Sequence, residues 1–411
     1  MQTNTPISFD NTSYAFAYKT DQELKKAHFL FNMMGNPLII KWGLQLMPLA
    51  IRFNLPFTQT IIRKTIFQQF VGGETLNQTA AVAQKLSDYA VQVILDYGVE
   101  GGIGDAAFDE AASAFIEVIE YASSQQNIPF MSIKVTGIAS FALLEKIQSL
   151  MEASDEKTLM KRYTDAIAQL NVEETESLHR SVGRLQQICQ AGYQRKIKVL
   201  VDAEESWIQD PVDALTMLMM DSFNKASAVV YNTIQLYRHD RLAFLEKSHE
   251  AAKDRGFILG VKLVRGAYME KERLRAKTMG YADPIQKDKL ATDTDYNKAL
   301  DFCIERIAQI AMIVASHNEA SNLYTTTLMQ THQIDSHHPH IHFPQVYGMS
   351  DNITFNLAKF GCSVSKYLPF GPIKDVVPYL MRRAQENSSV AGQTGRELGL
   401  IKKELIRRGK G

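Results

Sequence analysis

Cysteine is scarce: the 411 residues hold only three, Cys189, Cys303 and Cys362, far apart. That excludes a disulfide-built fold and a C-x-x-C metal or redox site, and fits a reducing compartment. Neither sign of charge is in excess. Lys plus Arg number 45 and Asp plus Glu number 45, so nothing favours a nucleic-acid surface, and none is expected. Glycine (23) and proline (12) are too few, and apolar residues (45%) too many, for a collagen-like, low-complexity or disordered chain. The polar start Met1-Gln2-Thr3-Asn4-Thr5-Pro6 lacks a basic segment followed by an apolar core, and the first arginine is Arg52. Neither a secretory signal nor an Arg-rich presequence is therefore expected. Long hydrophobic runs are missing as well. Pro37, Lys41, Pro48, Arg52 and Pro56 cut the apolar stretch from Ala27 to Phe57. A spanning helix needs roughly 20 mostly apolar residues. The stretch reads as helices packed on the body of the protein, with interfacial membrane contact as its second reading.

What is present is an alternation. Residues 1–90 read as a helical region broken at the prolines, with an amphipathic helix pattern over Asn77–Tyr89. From there, short β-type runs alternate with longer helical patterns. The runs are 93–97, 130–135, 197–202, 228–234, 261–265, 311–316, 342–347 and 362–367. The seventh is weak, because it contains Pro344. Helical patterns cover Asp109–Ser123, Leu178–Gln190, Asp213–Lys225, Leu242–Lys253, Asn297–Ile307 and Ile373–Gln385. The long gap between runs two and three holds two more, Phe141–Met151 and Lys157–Gln169. Eight β runs with helical crossovers predict an α/β protein. The expected form is a distorted (β/α)8 TIM-type barrel over 91–411, with extra N-terminal helices and a helical insertion between strands 2 and 3. An open doubly wound sheet would want a Gly-rich phosphate loop after its first strand. Gly101-Gly102-Ile103-Gly104 is the one candidate, and its spacing does not match.

In such a barrel, functional side chains gather at the C-terminal ends of the strands. Here those ends carry Glu100, Lys134, Asp202 with Glu204 and Glu205, Gln235, Lys262 with Arg265, His317 with Asn318, Gln345 and Tyr367. Any one of these alone reads equally well as a structural ion pair or a solvated rim; the whole series is better evidence of a site. Lys134 and Lys262 sit among apolar neighbours, where an unpaired ammonium is costly.

The segment after the last strand is the most informative. Pro369-Phe370-Gly371-Pro372 ends the strand, Asp375 is the expected N-cap, and Pro378 then falls in the first helical turn. Tyr379, Arg382, Arg383 and Glu386 are spaced to share one broad helix face. Two adjacent guanidiniums with a phenol make a carboxylate clamp, because arginine offers fixed, bidentate, permanently charged donors. Glu386 could orient one of them or accept from a ribityl or ribose hydroxyl. A Schiff-base aldolase is a competing class, with Lys134, Lys262 or Lys366 as nucleophile. It leaves the Arg-Arg helix without a role. A ligand-binding or scaffold barrel would need a spoiled site. The histidines His332, His337, His338, His340 and His342 invite a metal reading, but they precede the seventh strand and no Cys or acidic partner completes a tetrahedral set. A surface loop is the better reading.

Four segments together resemble the proline dehydrogenase family. They are Val201-Asp202-Ala203-Glu204-Glu205, Lys262-Leu263-Val264-Arg265-Gly266-Ala267-Tyr268 with Glu270, Glu272 and Arg273, Ala315-Ser316-His317-Asn318-Glu319, and Tyr379-Leu380-Met381-Arg382-Arg383-Ala384-Gln385-Glu386-Asn387. The likeness runs from about Asp96 to Val390 and is nearest the monofunctional, eukaryote-like branch. The chain shows neither the fused aldehyde dehydrogenase nor the DNA-binding region of bifunctional relatives. The resemblance implies an FAD enzyme that oxidises L-proline to Δ1-pyrroline-5-carboxylate and passes electrons to a membrane quinone. It implies that Arg382, Arg383 and Lys134 hold the proline carboxylate. Tyr268, Tyr367 and Tyr379 would wall the substrate pocket, with Asp202 supporting it and Glu100 pairing with an arginine. Flavin contacts are implied for Gln235, Lys262, Val264, Arg265, Gly266, Ala267, Thr292, Ser316, His317 and Glu386, with Thr292 in a poorly patterned loop. Family members that prefer hydroxyproline carry a small residue where this chain has Tyr367. A hydroxyproline dehydrogenase is the alternative within the family. The expected location is cytoplasmic, or peripheral on the inner face of a bacterial plasma membrane. Nothing in the sequence sets an oligomeric state.

Overall fold

The computed structural model describes residues 7–36, 42–43, 45–47, 50, 53, 57–98, 102–389 and 393–410; the side chains of 385–389 and 393–394 lie outside the description. Eight strands follow the expected order: β1 Gln92–Tyr97, β2 Phe130–Ile133, β3 Lys198–Val201, β4 Val230–Gln235, β5 Leu259–Val264, β6 Ile310–Val314, β7 Ile341–Val346 and β8 Val364–Phe370. They close a barrel in chain order, and the paired strands run parallel. A parallel strand needs its crossover on the outside and is covered on both faces. Continuous Val, Ile and Leu runs, as in Val199-Leu200-Val201, meet that demand and are fully buried.

Two proline positions differ from the sequence reading. β7 is a full six-residue strand despite Pro344. Phe343 donates its N–H to Ser363, just before β8, and Tyr347 donates to Tyr367 on β8, so the missing N–H of Pro344 falls on the other side of the strand. The ladder to β6 on that side stops at His342, and no donor is lost. The helix after β8 runs Ile373–Ser389, so Asp375 lies in its first turn rather than at its N-cap and Pro378 lies inside it. The cause is Pro372, whose carbonyl accepts from both Asp375 and Val376 and starts the helix early.

Chain contacts gather into two units, residues 1–99 with 343–411 and residues 100–342. The second unit carries β2 to β6 and the expected insertion, which comprises the helices Phe141–Glu152 and Leu159–Ile167 and is followed by the crossover helix Val172–Arg195. Arg184 fastens that crossover helix. Its buried guanidinium donates to Asp105 (2.7 Å), Asp109 (2.6 Å) and the Ile138 carbonyl (3.2 Å).

The first unit carries β1 and β8. Its apolar core joins N-terminal residues Phe31, Ile66 and Phe70 to Val376 and Leu380 of the helix Ile373–Ser389 and to Leu400 and Leu405 of the helix Gln393–Arg407. A buried ionic knot lies in the same unit. Lys366 on β8, fully buried, meets Asp351 at 2.9 Å and donates to the Met349 carbonyl at 2.6 Å. Asp351 also accepts from the Tyr18 hydroxyl at 2.8 Å and lies 3.8 Å from Lys19. Glu397 of the helix Gln393–Arg407 accepts the Ser350 N–H.

Candidate active site

The unit of residues 100–342 brings most of the expected site residues to the exits of β2 to β6. Lys262 on β5 is buried and forms an ion pair with Asp202, the residue after β3. The partner foreseen as necessary for a lysine among apolar neighbours is thus a carboxylate across the β4 strand. A Schiff-base lysine needs a free, neutral amine. Lys262 is held against a carboxylate and Lys366 is locked in the ionic knot, so the aldolase reading loses two of its three nucleophiles.

Arg265 follows β5 and is held on three sides. Nε donates to Asp293 (2.7 Å), one terminal nitrogen to Ser316 (2.7 Å) and the other to Ser321 (3.0 Å). The guanidinium lies over the Tyr296 ring, 4.3 Å from its centroid. This brings the exit of β5 to Ser316 and His317 after β6. Thr292, expected in a loop, instead sits in the first turn of the helix Lys289–Glu305 beside Asp293. Asp288 makes that helix start here, because its carboxylate accepts the Ala291 N–H at 2.8 Å.

Gly266 is fixed by geometry. Its φ is +140°, and a Cβ there would come within 2.4 Å of the Tyr237 ring. Any side chain would push the Val264–Ala267 backbone away from β4. Tyr268 then takes the N-cap position of the helix Met269–Met279.

The acidic residues of the same motif carry structure that the sequence did not disclose. Buried Glu272 accepts the Ser206 N–H (2.7 Å) and hydroxyl (2.6 Å), so it caps the helix Ser206–Phe223 from outside. Lys271 pairs with Glu205, and Arg275 lies over Trp207 at 4.3 Å. The segment after β5 is thereby stapled over the exit of β3.

Beside it, buried Glu204 accepts the Thr136 N–H (3.1 Å) and the Thr136 hydroxyl. Burial pushes the Glu204 carboxyl up to about 7, against the pull of Thr136 and of the Lys134 ammonium. Gln235, at the end of β4, donates to the Glu204 carbonyl at 3.1 Å, while its Oε1 is buried without a partner among the described residues. Lys134 takes the N-cap position of the 3-10 turn Val135–Gly137 after β2.

The unit of residues 1–99 and 343–411 holds the second set. Tyr367 is part-exposed on β8, next to Lys366. Tyr379, Arg382 and Arg383 lie on the helix Ile373–Ser389, all part-exposed, with the Arg383 guanidinium 5.5 Å from the Tyr379 ring centre. That contact is the i, i+4 pair expected from the spacing. Glu386 belongs to this helix, but its side chain lies outside the description, and Glu100 lies outside the described residues. Of the histidines, His342 is buried against Phe130 at 4.7 Å, and burial brings its imidazole down to about 3, so it is neutral. His338 and His340 sit before the strand with their rings 5.4 Å apart.

Comparison with known proteins agrees with these elements. The family profile described as proline dehydrogenase matches residues 79–396. The chain is 32% identical to a protein named hydroxyproline dehydrogenase from Xenopus laevis, over 99% of this chain and 91% of that one. It is 32% identical to a protein named proline dehydrogenase 1, mitochondrial, from Dictyostelium discoideum, over 84% of this chain and 65% of that one. Among solved structures, the fold matches proline utilization A (PutA) from Bdellovibrio bacteriovorus with a TM-score of 0.68 at 18% identity, over 95% of this chain and 40% of that one. The chain thus spans about two fifths of that larger protein. The chain belongs to the proline dehydrogenase family.

Proposed function

We propose that this chain oxidises L-proline to Δ1-pyrroline-5-carboxylate with bound FAD. What carries the reading is the set of polar side chains at the exits of β2 to β6 in a member of this family: Lys134, Asp202, Gln235, Lys262, Arg265 and His317. The residues present fit a flavin nucleotide. Among the described residues Gln235 Oε1 is a buried acceptor with no partner, which suits a donor on a bound group. Gly266 lets the Tyr237 ring pack directly on the backbone after β5 and so fixes that segment. Gln235, Lys262, Val264, Gly266, Ala267, Thr292, Ser316, His317 and Glu386 are assigned to hold the cofactor, with Arg265 fixing the backbone between them.

When bound, FAD supplies the two-electron acceptor for the hydride. The protein's own work is positioning. Arg382, Arg383 and Lys134 hold the carboxylate, and Tyr268, Tyr367 and Tyr379 hold the ring. Glu100 and Asp202 support the clamp. The substrate nitrogen must be neutral so that its lone pair becomes the C=N bond as hydride leaves carbon 5; the remaining N–H proton goes to water. Incubating the purified protein with L-proline and an electron acceptor tests this. A product two hydrogens lighter than proline supports it, and unchanged proline contradicts it.

A membrane quinone is the proposed final acceptor, reached by peripheral contact. Residues 24–73 hold the basic residues Lys25, Lys26, Lys41, Arg52, Arg63 and Lys64 and no Asp or Glu. Trp42, Leu46, Phe53, Phe57 and Ile61 in the same stretch are exposed. Arg63 is paired with Glu74 at 2.7 Å; apolar side chains in a stretch whose own charges are all positive suit an anionic lipid interface. Among the described residues, no helix is long and apolar enough to cross a membrane. The proposed location is cytoplasmic, or peripheral on the inner face of a bacterial plasma membrane. Co-flotation with anionic but not with neutral vesicles is the expected result; equal behaviour with both removes the assignment. Hydroxyproline is the second candidate substrate, because relatives of that name match almost the whole chain.

A further inference from the structure

The motif Asp202-Ala203-Glu204-Glu205 leaves two buried acids, Glu204 and Glu205, that the reaction above does not use. Glu204 is 5% exposed and gripped on every side. Its carboxylate accepts both the N–H and the hydroxyl of Thr136. Its own N–H donates to Gln209 Oε1 at 2.7 Å, and its carbonyl accepts from Gln235 Nε2 at 3.1 Å. Thr136 is the centre of the 3-10 turn Val135–Gly137, and that turn is closed by the Gly137 N–H on the carbonyl of Lys134, 3.1 Å away. The Glu204 carboxylate also attracts the Lys134 ammonium. One acid after β3 therefore holds the segment on which Lys134 stands after β2, and does so from a base fixed to β4.

Fixing a backbone turn with two charge-assisted bonds removes freedom from whatever side chain the turn carries. Lysine has a long, flexible stem, so a ligand would otherwise have to freeze both the stem and the turn beneath it.

We propose that Glu204 is a positioning residue for Lys134: by gripping Thr136 it fixes the turn that presents this lysine to the carboxylate of the substrate. The inference rests on the assignment of Lys134 to the proline carboxylate. Glu205 does not share the role, because its carboxylate is turned to Lys271.

The test uses two five-membered-ring probes of one shape, cyclopentanecarboxylate and the uncharged cyclopentanecarboxamide, with Kd measured on the purified protein as isolated. Glu204→Ala should weaken the carboxylate about tenfold or more, as expected for losing charge-assisted contacts, and leave the amide within about twofold. Glu204→Gln keeps an acceptor for the Thr136 N–H and should recover most of the loss. With L-proline, the alanine variant should show a raised KM and a smaller change in kcat. Thr136→Val removes only the hydroxyl contact and should weaken the carboxylate about threefold, which keeps the idea testable if Glu204→Ala does not fold. Equal losses for carboxylate and amide, or no rescue by glutamine, would make Glu204 a general staple and overturn the proposal. Wild-type protein that binds the carboxylate and oxidises proline, with both variants unchanged, overturns this inference alone. Wild-type protein that does neither overturns the proposed function itself.

Discussion

At the scale of single residues, charge decides. Arg382 and Arg383 are part-exposed on one helix, with Arg383 near the Tyr379 ring. Each is assigned a charge-assisted contact to the substrate carboxylate, worth about 1.5–3 kcal/mol. Arg382→Met and Arg383→Met should therefore each raise the KM for proline by about tenfold or more. Steady-state kinetics checks this, and an unchanged KM in either variant removes that arginine from the clamp. Tyr367 is assigned to close the space beyond carbon 4 of the ring. A hydroxyl there meets the phenol and leaves its hydrogen bonds unmade, at about 1–3 kcal/mol, so proline should be preferred over trans-4-hydroxyproline. Tyr367→Ser should narrow that preference while weakening proline. If kcat/KM for the two substrates falls in parallel, Tyr367 is only a strand-end packing residue.

The strand-end charges were legible in the sequence because a parallel barrel strand is apolar until it leaves the core; Lys134, Asp202, Lys262 and Arg265 stand out against that background. Their partners were not legible. Thr136 meets Glu204 across 68 residues of chain, and Ser206 meets Glu272 across 66. Such pairings exist only once the barrel has brought neighbouring strand exits together, and no local periodicity records them.

At the scale of elements, hydrophobic pattern located every strand and backbone chemistry moved the boundaries. β8 continues through Pro369 to Phe370, where a reading by residue type stopped at Tyr367. The carbonyls of Pro369 and Phe370 accept from Gly72 and Gly98, so the segment keeps partners that sequence alone does not show. The helices Met269–Met279 and Gln393–Arg407 went unseen for a different reason. The first has only Met269, Leu274, Ala276 and Met279 as apolar residues, and its position is set by Glu272, Lys271 and Arg275 rather than by an apolar stripe. The tie between β8 and the helix Asp351–Lys359 is the Lys366–Asp351 pair. Removing one partner of a buried pair strands the other charge, at about 3–5 kcal/mol. Lys366→Met should lower stability by that order, and Lys366→Met with Asp351→Leu should recover part of it. Denaturant unfolding measures both. A double variant no better than the single one would show that Asp351 is satisfied by Tyr18 and Lys19 alone.

At the scale of the whole molecule, the eight-strand count and the apolar crossovers were enough to give the closed barrel, because few architectures accept eight parallel strands in chain order. One global property follows from Glu397. Burial, helped by nearby Asp351, raises its carboxyl to about 7. A carboxyl that holds its proton more tightly when folded stabilises the native state only while protonated. Stability is thus lost as pH rises from the unfolded value of 4.5 towards 7, by up to about 3 kcal/mol. Glu397→Gln should therefore gain stability over the native chain at pH 8 and gain little at pH 5. A difference in Tm that is flat across this range would contradict the assignment.

The central claim is that this barrel holds a flavin and reduces it with proline. The most direct measurement is the visible absorbance of the purified protein, loaded with FAD, on anaerobic addition of L-proline. The expected result is loss of the oxidised-flavin band with L-proline and no loss with an equal concentration of an acyclic amino acid such as L-valine. A protein that takes up no FAD, or one whose bound flavin stays oxidised in excess L-proline, would contradict the account.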